Sequence, residues 1–175
     1  MFKRTPISHL SVIILLLFFT LLANLAPSNQ SSSQSPQAGP FELNWSPNGS
    51  VIAGSGSRFL KVWDASTGAV ILDFPEVTSN NYYVLDIAWS PDSKRIAAAS
   101  DDNLIRIWNV SDVGYLPGQL ITTITPNPDG FGLLMTIDWH PNGQLIVSAG
   151  IAENYTVRTW NANTFQLVEQ LAIGD

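Results

Sequence analysis

Trp89-Ser90-Pro91-Asp92-Ser93, the run Ile96-Ala97-Ala98-Ala99 and then Ile105-Arg106-Ile107-Trp108-Asn109 follow one another within 21 residues and carry the clearest strand-and-turn pattern of the chain. Proline fixes φ at the start of a turn and small polar residues after it tolerate positive φ, so Ser90–Ser93 reads as a tight turn. Asp101-Asp102-Asn103 reads as the next hairpin turn. The segments these turns separate, Tyr83–Trp89, Arg95–Ser100, Leu104–Asn109 and Gln119–Thr125, are of strand length. Ile96–Ala99 is apolar on both faces instead of alternating, which suits a sheet packed between two neighbours. Its small side chains suit close approach near a central axis.

Working outward, the same unit occurs three times. Trp45-Ser46-Pro47-Asn48-Gly49, Trp89-Ser90-Pro91-Asp92-Ser93 and Trp139-His140-Pro141-Asn142-Gly143 each close an apolar stretch and enter a turn. Leu60-Lys61-Val62-Trp63-Asp64, Ile105-Arg106-Ile107-Trp108-Asn109 and Val157-Arg158-Thr159-Trp160-Asn161 close a second one. The steps are 44 and 50 residues in the first tryptophan series and 45 and 52 in the second, so all six tryptophans are spent as two marks per unit. Ser66-Thr67-Gly68 supplies the third turn of the first unit. Units of approximately 41–78, 79–127 and 128–175 follow.

This pattern resembles the WD-repeat family, β-propellers whose four-stranded blades span about 40 to 45 residues. Trp63-Asp64 is the literal signature, and Trp89-Ser90-Pro91-Asp92 is similar to the family's aromatic-Ser-Pro-Asp-Gly turn. The resemblance implies an all-β fold, a partial β-propeller of three four-stranded antiparallel blades, covering residues 41–175. It also implies structural roles for Trp45, Trp63, Asp64, Trp89, Asp102, Trp108, Trp139 and Trp160. In the family a histidine, a hairpin aspartate, a strand serine and the signature tryptophan share a buried hydrogen-bonded tetrad. Six residues before that tryptophan stand Ser57, Asp102 and Asn154. The histidine position falls near Asn80 and Gly130, and the serine position reads Ala53, Ala98 and Ser148. No unit has the full set, so blade rigidity is expected to come mainly from apolar packing. Closed propellers need about four to eight blades. With three units ending at Gly174-Asp175, the expectation is a piece of a longer propeller or closure by self-association.

Ahead of the repeats, Lys3 and Arg4 precede an uncharged run from Leu10 to Leu22. A basic segment followed by an apolar core is the pattern of a signal peptide. Counted from Ile7 to Ala26 the stretch is also long enough to serve as a membrane-spanning anchor helix. Both readings of residues 1–26 stay open, and both leave Lys3 and Arg4 on the cytoplasmic side and export the rest. Residues 27–40 are Ser, Gln, Pro, Asn, Ala and Gly, with no aromatic or branched aliphatic side chain, and read as a disordered linker.

Composition narrows the functions. Charged residues are 13% of the 175, the net charge is -6, and from Pro27 onward six basic residues face fourteen acidic ones. There is no basic footprint for nucleic acid, and membrane contact is expected only through the N-terminal segment. The absence of cysteine removes disulfides, thiolate metal sites and cysteine nucleophiles. His140 replaces Ser46 and Ser90 in its turn and is read as an exposed turn residue, not a catalyst. Asp101, Asp102 and Asn103 are the only dense carboxylate cluster, without the spacing of a dedicated calcium loop. Asn29, Asn44, Asn48, Asn109 and Asn154 open Asn-X-Ser/Thr triplets. No catalytic residue, cofactor or metal site is expected.

The resemblance implies a scaffold for protein partners, and the N-terminal segment makes it an exported or membrane-tethered one. Contacts would come from aromatics in or beside the loops, Tyr82, Tyr83, Tyr115 and Phe131, and from a row of basic residues two before each signature tryptophan, Lys61, Arg106 and Arg158. The rivals are an exported propeller enzyme and a carbohydrate or small-molecule-binding module. The binding module requires exposed tryptophan faces.

Overall fold

A computed structural model describes residues 42–74, 77, 82–111, 117–126, 133–151 and 156–172. All of them fall in the compact unit Gln37–Asp175. The expected N-terminal apolar helix, the linker, Asn80, Tyr115, Gly130, Phe131 and Asn154 lie outside the described residues. Among those described, no helix is long and apolar enough to cross a membrane.

Among the described residues twelve strands form three four-stranded sheets in chain order. Sheet 1 holds β1 (Glu42–Trp45), β2 (Val51–Gly56), β3 (Phe59–Asp64) and β4 (Val70–Asp73); sheet 2 holds β5 (Val84–Trp89), β6 (Arg95–Ser100), β7 (Ile105–Asn109) and β8 (Leu120–Ile124). Sheet 3 holds β9 (Leu133–Trp139), β10 (Leu145–Ile151), β11 (Thr156–Asn161) and β12 (Leu167–Ala172). Among the described residues every strand pairing is antiparallel between sequence neighbours, most of them joined by turns of a few residues. Neighbouring sheets meet through their first strands: β5 packs on β1 and β2, and β9 on β5 and β6.

Two apolar clusters fill the spaces between sheets. The first joins Leu60, Val62 and Phe74 of sheet 1 to Ile87, Trp89, Ile96 and Trp108 of sheet 2. The second joins Ala97, Ile105, Ile107 and Ile124 of sheet 2 to Ile137, Trp139, Ile146 and Trp160 of sheet 3. Sheet 2 is therefore sandwiched, and Ile96, Ala97, Ala98 and Ala99 are all fully buried. This is the physical reason its second strand does not alternate. Trp108 is also fully buried, its ring tilted 60° against Phe74 with centroids 5.4 Å apart. Truncating such a core tryptophan to alanine costs about 3–5 kcal/mol.

Register sets which residues are equivalent. Ile52 pairs with Trp63, Ile96 with Trp108 and Ile146 with Trp160. Gly54 then stands opposite Lys61 as Ala98 does opposite Arg106 and Ser148 opposite Arg158. This corrects the reading of Ala53 as the strand-serine position. The hairpin of sheet 1 is one residue shorter, so counting along the chain slips by one and puts Ala53 on the other face, in the cluster against sheet 2. Gly54 is needed where it is, because a Cβ there would lie 2.8 Å from both Leu43 Cδ2 and Trp63 Cζ3.

Candidate functional site

The turn after each first strand is tied by its leading residue. Val51 N–H donates to Ser46 Oγ at 3.1 Å, and Ser46 Oγ–H lies 2.8 Å from Asn48 Oδ1. Arg95 N–H donates to Ser90 Oγ at 2.9 Å, and Ser90 Oγ–H donates to Asp92 Oδ1 at 2.5 Å. Burial works against ionisation of Asp92, but the Ser90 and Lys94 hydrogen bonds and the Arg95 and Lys94 charges outweigh it and lower its pKa. His140, which is exposed, accepts from Asn142 N–H at 3.1 Å through Nδ1. It is a turn residue, as its place in the sequence suggests.

The signature aspartate caps the turn that follows. Asp64 Oδ1 accepts from the backbone and hydroxyl of Ser66 at 2.9 and 2.6 Å and from those of Thr67 at 2.8 and 2.9 Å. These bonds, the Ser66 hydroxyl first, hold its pKa down at about 2. Asn161 does the same for Asn163 and Thr164 N–H, both at 2.9 Å, and Asn109 bonds Ser111. These turns share one end of the sheets with the serine turns, forming a polar rim whose backbone is held by local bonds.

At the opposite end the aspartate of the expected tetrad is engaged elsewhere. Asp102 takes Arg106 in a two-pronged pair at 3.1 and 2.6 Å, and the same guanidinium lies 3.9 Å over the Tyr82 ring. Tyr82 is buried in the first cluster, so it packs between sheets instead of offering a face to a partner. Tyr83, 36% exposed, donates its backbone N–H to Asp101 Oδ1 at 2.7 Å. The other members of the basic row are also engaged within their sheets: Lys61 with Asp73 at 3.2 Å and Arg158 Nε with Gln170 Oε1 at 3.0 Å. An exposed pair such as Lys61–Asp73 contributes about 0–1 kcal/mol. In sheet 3 the serine–tryptophan half of the tetrad is intact, Trp160 Nε1–H donating to Ser148 Oγ at 2.9 Å.

Three side chains that sequence reasoning missed staple the sheets together. Asp86 Oδ2 accepts from Thr136 Oγ1 at 2.6 Å and from Ile137 N–H at 2.8 Å. Arg95 Nη1 donates to Ala162 O at 2.7 Å while its guanidinium covers the Trp139 ring at 4.6 Å. Asn44 Nδ2 donates to Ile87 O at 2.9 Å, and Asn44 O accepts from Trp89 Nε1 at 3.1 Å. The available signals were an acid inside the apolar run Val84–Trp89 and an arginine where the other units have Val51 and Leu145. Glu42 lies near enough to Asp86 that burial, chiefly, and the Asp86 charge raise its pKa.

Trp89, Trp108, Trp139 and Trp160 are buried and Trp63 is half-buried, but Trp45 is 51% exposed. The sequence marks the three first-strand tryptophans as equivalent. What differs is the neighbour: Trp89 and Trp139 lie against a preceding sheet, and no described sheet precedes Trp45. Among the described residues no group of three or more His, Cys, Asp or Glu is placed to hold a metal ion.

Comparison with known proteins agrees with this geometry. The family model "WD domain, G-beta repeat" matches residues 37–64, 75–109 and 117–161. The chain is 30% identical over 122 residues to Protein transport protein SEC13 of Chaetomium globosum, covering 66% of this chain and 39% of that protein. It is 30% identical over 89 residues to WD repeat-containing protein VIP3 of Arabidopsis thaliana, covering 44% and 28%. The chain thus spans well under half the length of either relative. The crystal structure of RRP9 WD40 repeats superposes with a TM-score of 0.64 at 21% identity, over 79% of this chain and 40% of that one, which speaks to the fold alone. With three matched stretches and three four-stranded sheets whose turns recur in phase, the chain belongs to the WD40 repeat family.

Proposed function

We propose that this chain is an exported or membrane-tethered WD40 scaffold that binds other proteins through a rim of its blades and catalyses no reaction. The observation that carries the reading is the rim of locally bonded turns. Ser46, Ser90, Asp64 and Asn161 fix the backbone, so the outward side chains beside them can vary without disturbing the sheets. Export is supported by Lys3, Arg4 and the apolar run from Leu10 to Leu22. The array itself is a piece of a ring, completed by further blades or by self-association.

The test uses the full chain. An alkaline phosphatase fused after Asp175 is active if the repeats are exported and silent if they are not. Chemical cross-linking in cells, followed by capture of the tagged chain, reads partner binding. Replacing the exposed rim residues Asn163 and Thr164 by arginine is expected to abolish a specific captured band at unchanged chain abundance. A band set indifferent to every rim substitution contradicts a rim-based scaffold.

A further inference from the structure

We propose that a second copy of this chain docks head to tail, its sheet 1 seated on the outward face of sheet 3 of the first copy. The inference deepens the reading of the array as an incomplete ring and does not depend on which partner the rim binds.

The two interior interfaces show what such a seat requires. Sheet 2 offers sheet 3 the face carrying Ala97, Ile105 and Ile124. By register, the same positions on the outward face of sheet 3 are Val147, Val157 and Leu171, opposite Thr159, Ala149 and Val157 respectively. Leu171 is 50% exposed there, whereas Ile124 is 7% exposed inside. The matching half is the outward face of sheet 1, whose Trp45 is 51% exposed where Trp89 and Trp139 are 8% and 4%. One face thus lacks its tryptophan and the other lacks its seat.

Polar detail fits the same register. Glu42, Asp86 and Thr136 are equivalent, opposite Ser55, Ala99 and Ala149. Across the second interface the Thr136 hydroxyl donates to Asp86 at 2.6 Å. Between copies, Thr136 of one would meet Glu42 of the other, so the position facing Glu42 across that contact carries an uncharged side chain and not a second carboxylate. Leu145 stands where Arg95 covers Trp139 and where Val51 packs against the first cluster, so an apolar side chain awaits Trp45. The described residues of two copies bring six sheets, within the four to eight of closed propellers, and a head-to-tail contact used twice closes a ring of them.

The chain has no cysteine, which makes cross-linking clean. Full-length chains carrying Glu42→Cys and full-length chains carrying Thr136→Cys are co-expressed and treated in cells with a short, permeant bis-maleimide. A product at twice the 19.1 kDa chain mass is expected only in the co-expression. Trp45→Ala should lower its yield at least about tenfold, as loss of an interface tryptophan anchor does. Leu120→Ser, 39% exposed within the sandwiched sheet, should leave it unchanged. The doubly substituted chain should stop at the dimer. No product, equal product from either single variant alone, or a ladder of higher multiples overturns the proposal. Partner capture that persists in a chain shown to be monomeric leaves the scaffold reading standing, so the two failures are separable.

Discussion

Ser148→Ala isolates the tetrad bond that sheet 3 retains. Trp160 Nε1 and Ser148 Oγ are 2.9 Å apart, and the two residues are 5% and 2% exposed. Removing the hydroxyl leaves the indole N–H facing an apolar cluster with no water to replace its acceptor. An orphaned buried donor costs about 1–3 kcal/mol. Serine itself gives up hydration when buried and alanine does not, so the net loss should sit near the middle, about 1.5–2 kcal/mol. For a folded part of this size that corresponds to a Tm lower by roughly 5–10 °C. Urea unfolding of the full chain in mild detergent, followed by circular dichroism, should show a lower midpoint at unchanged slope. The background matters most. Phenylalanine at 160 has no donor to orphan, so Ser148→Ala added to Trp160→Phe should cost under about 0.5 kcal/mol, with a coupling of about 1–2 kcal/mol between the sites. A coupling near zero would refute the claim that this bond, and not the volume of the side chains, holds sheet 3.

Three further outcomes follow from the geometry. Gly150 sits at the register shift between β9 and β10, where a Cβ would run into Leu133 O and lie 2.9 Å from Leu134 Cα. Backbone cannot swing aside as a side chain can, so Gly150→Ala should cost about 1–3 kcal/mol in thermal unfolding. His140→Ser should restore the two-sided hydroxyl bond of Ser46 and Ser90 and stabilise the chain by about 1 kcal/mol, read as a raised urea midpoint. Asp64 has a folded pKa of about 2, below its ordinary 3.8, so its turn is stabilised fully above the ordinary value and loses that contribution as pH falls toward 2. Asp64→Asn should therefore be less stable than the native chain at pH 6, and the gap in urea midpoints should shrink between pH 4 and pH 2.

The blade pattern was legible because its signals are local. Proline and glycine or asparagine at fixed places set the turns, and Trp89 and Trp108 mark the strand ends of sheet 2 as they do in sheets 1 and 3. Hairpin length was not legible, which is why Ala53 was named for the position that Gly54 occupies. Nor was burial: Trp45 carries the same turn as Trp89, and only the presence of a preceding sheet separates 51% from 8% exposure. Tyr82 and Arg106 looked like partner contacts because loop aromatics and recurrent cations usually face outward. Here they satisfy each other, with Asp102, at the edge of the first interface. Asp86 and Arg95 act across sheets, and a contact between residues some fifty or more positions apart leaves no trace in local pattern.

The described sheets form an ordered stack of blades with one unmated tryptophan face, at Trp45. Fluorine NMR of the full chain labelled with 5-fluorotryptophan, in mild detergent with a soluble paramagnetic quencher, tests it most directly, since each of the six tryptophans gives its own signal. At low concentration the Trp45 signal should be strongly quenched while Trp89, Trp108, Trp139 and Trp160 are protected. As concentration rises, Trp45 should become protected and the others should not change. Quenching of any of the four buried tryptophans, or protection of Trp45 at every concentration, would contradict the account.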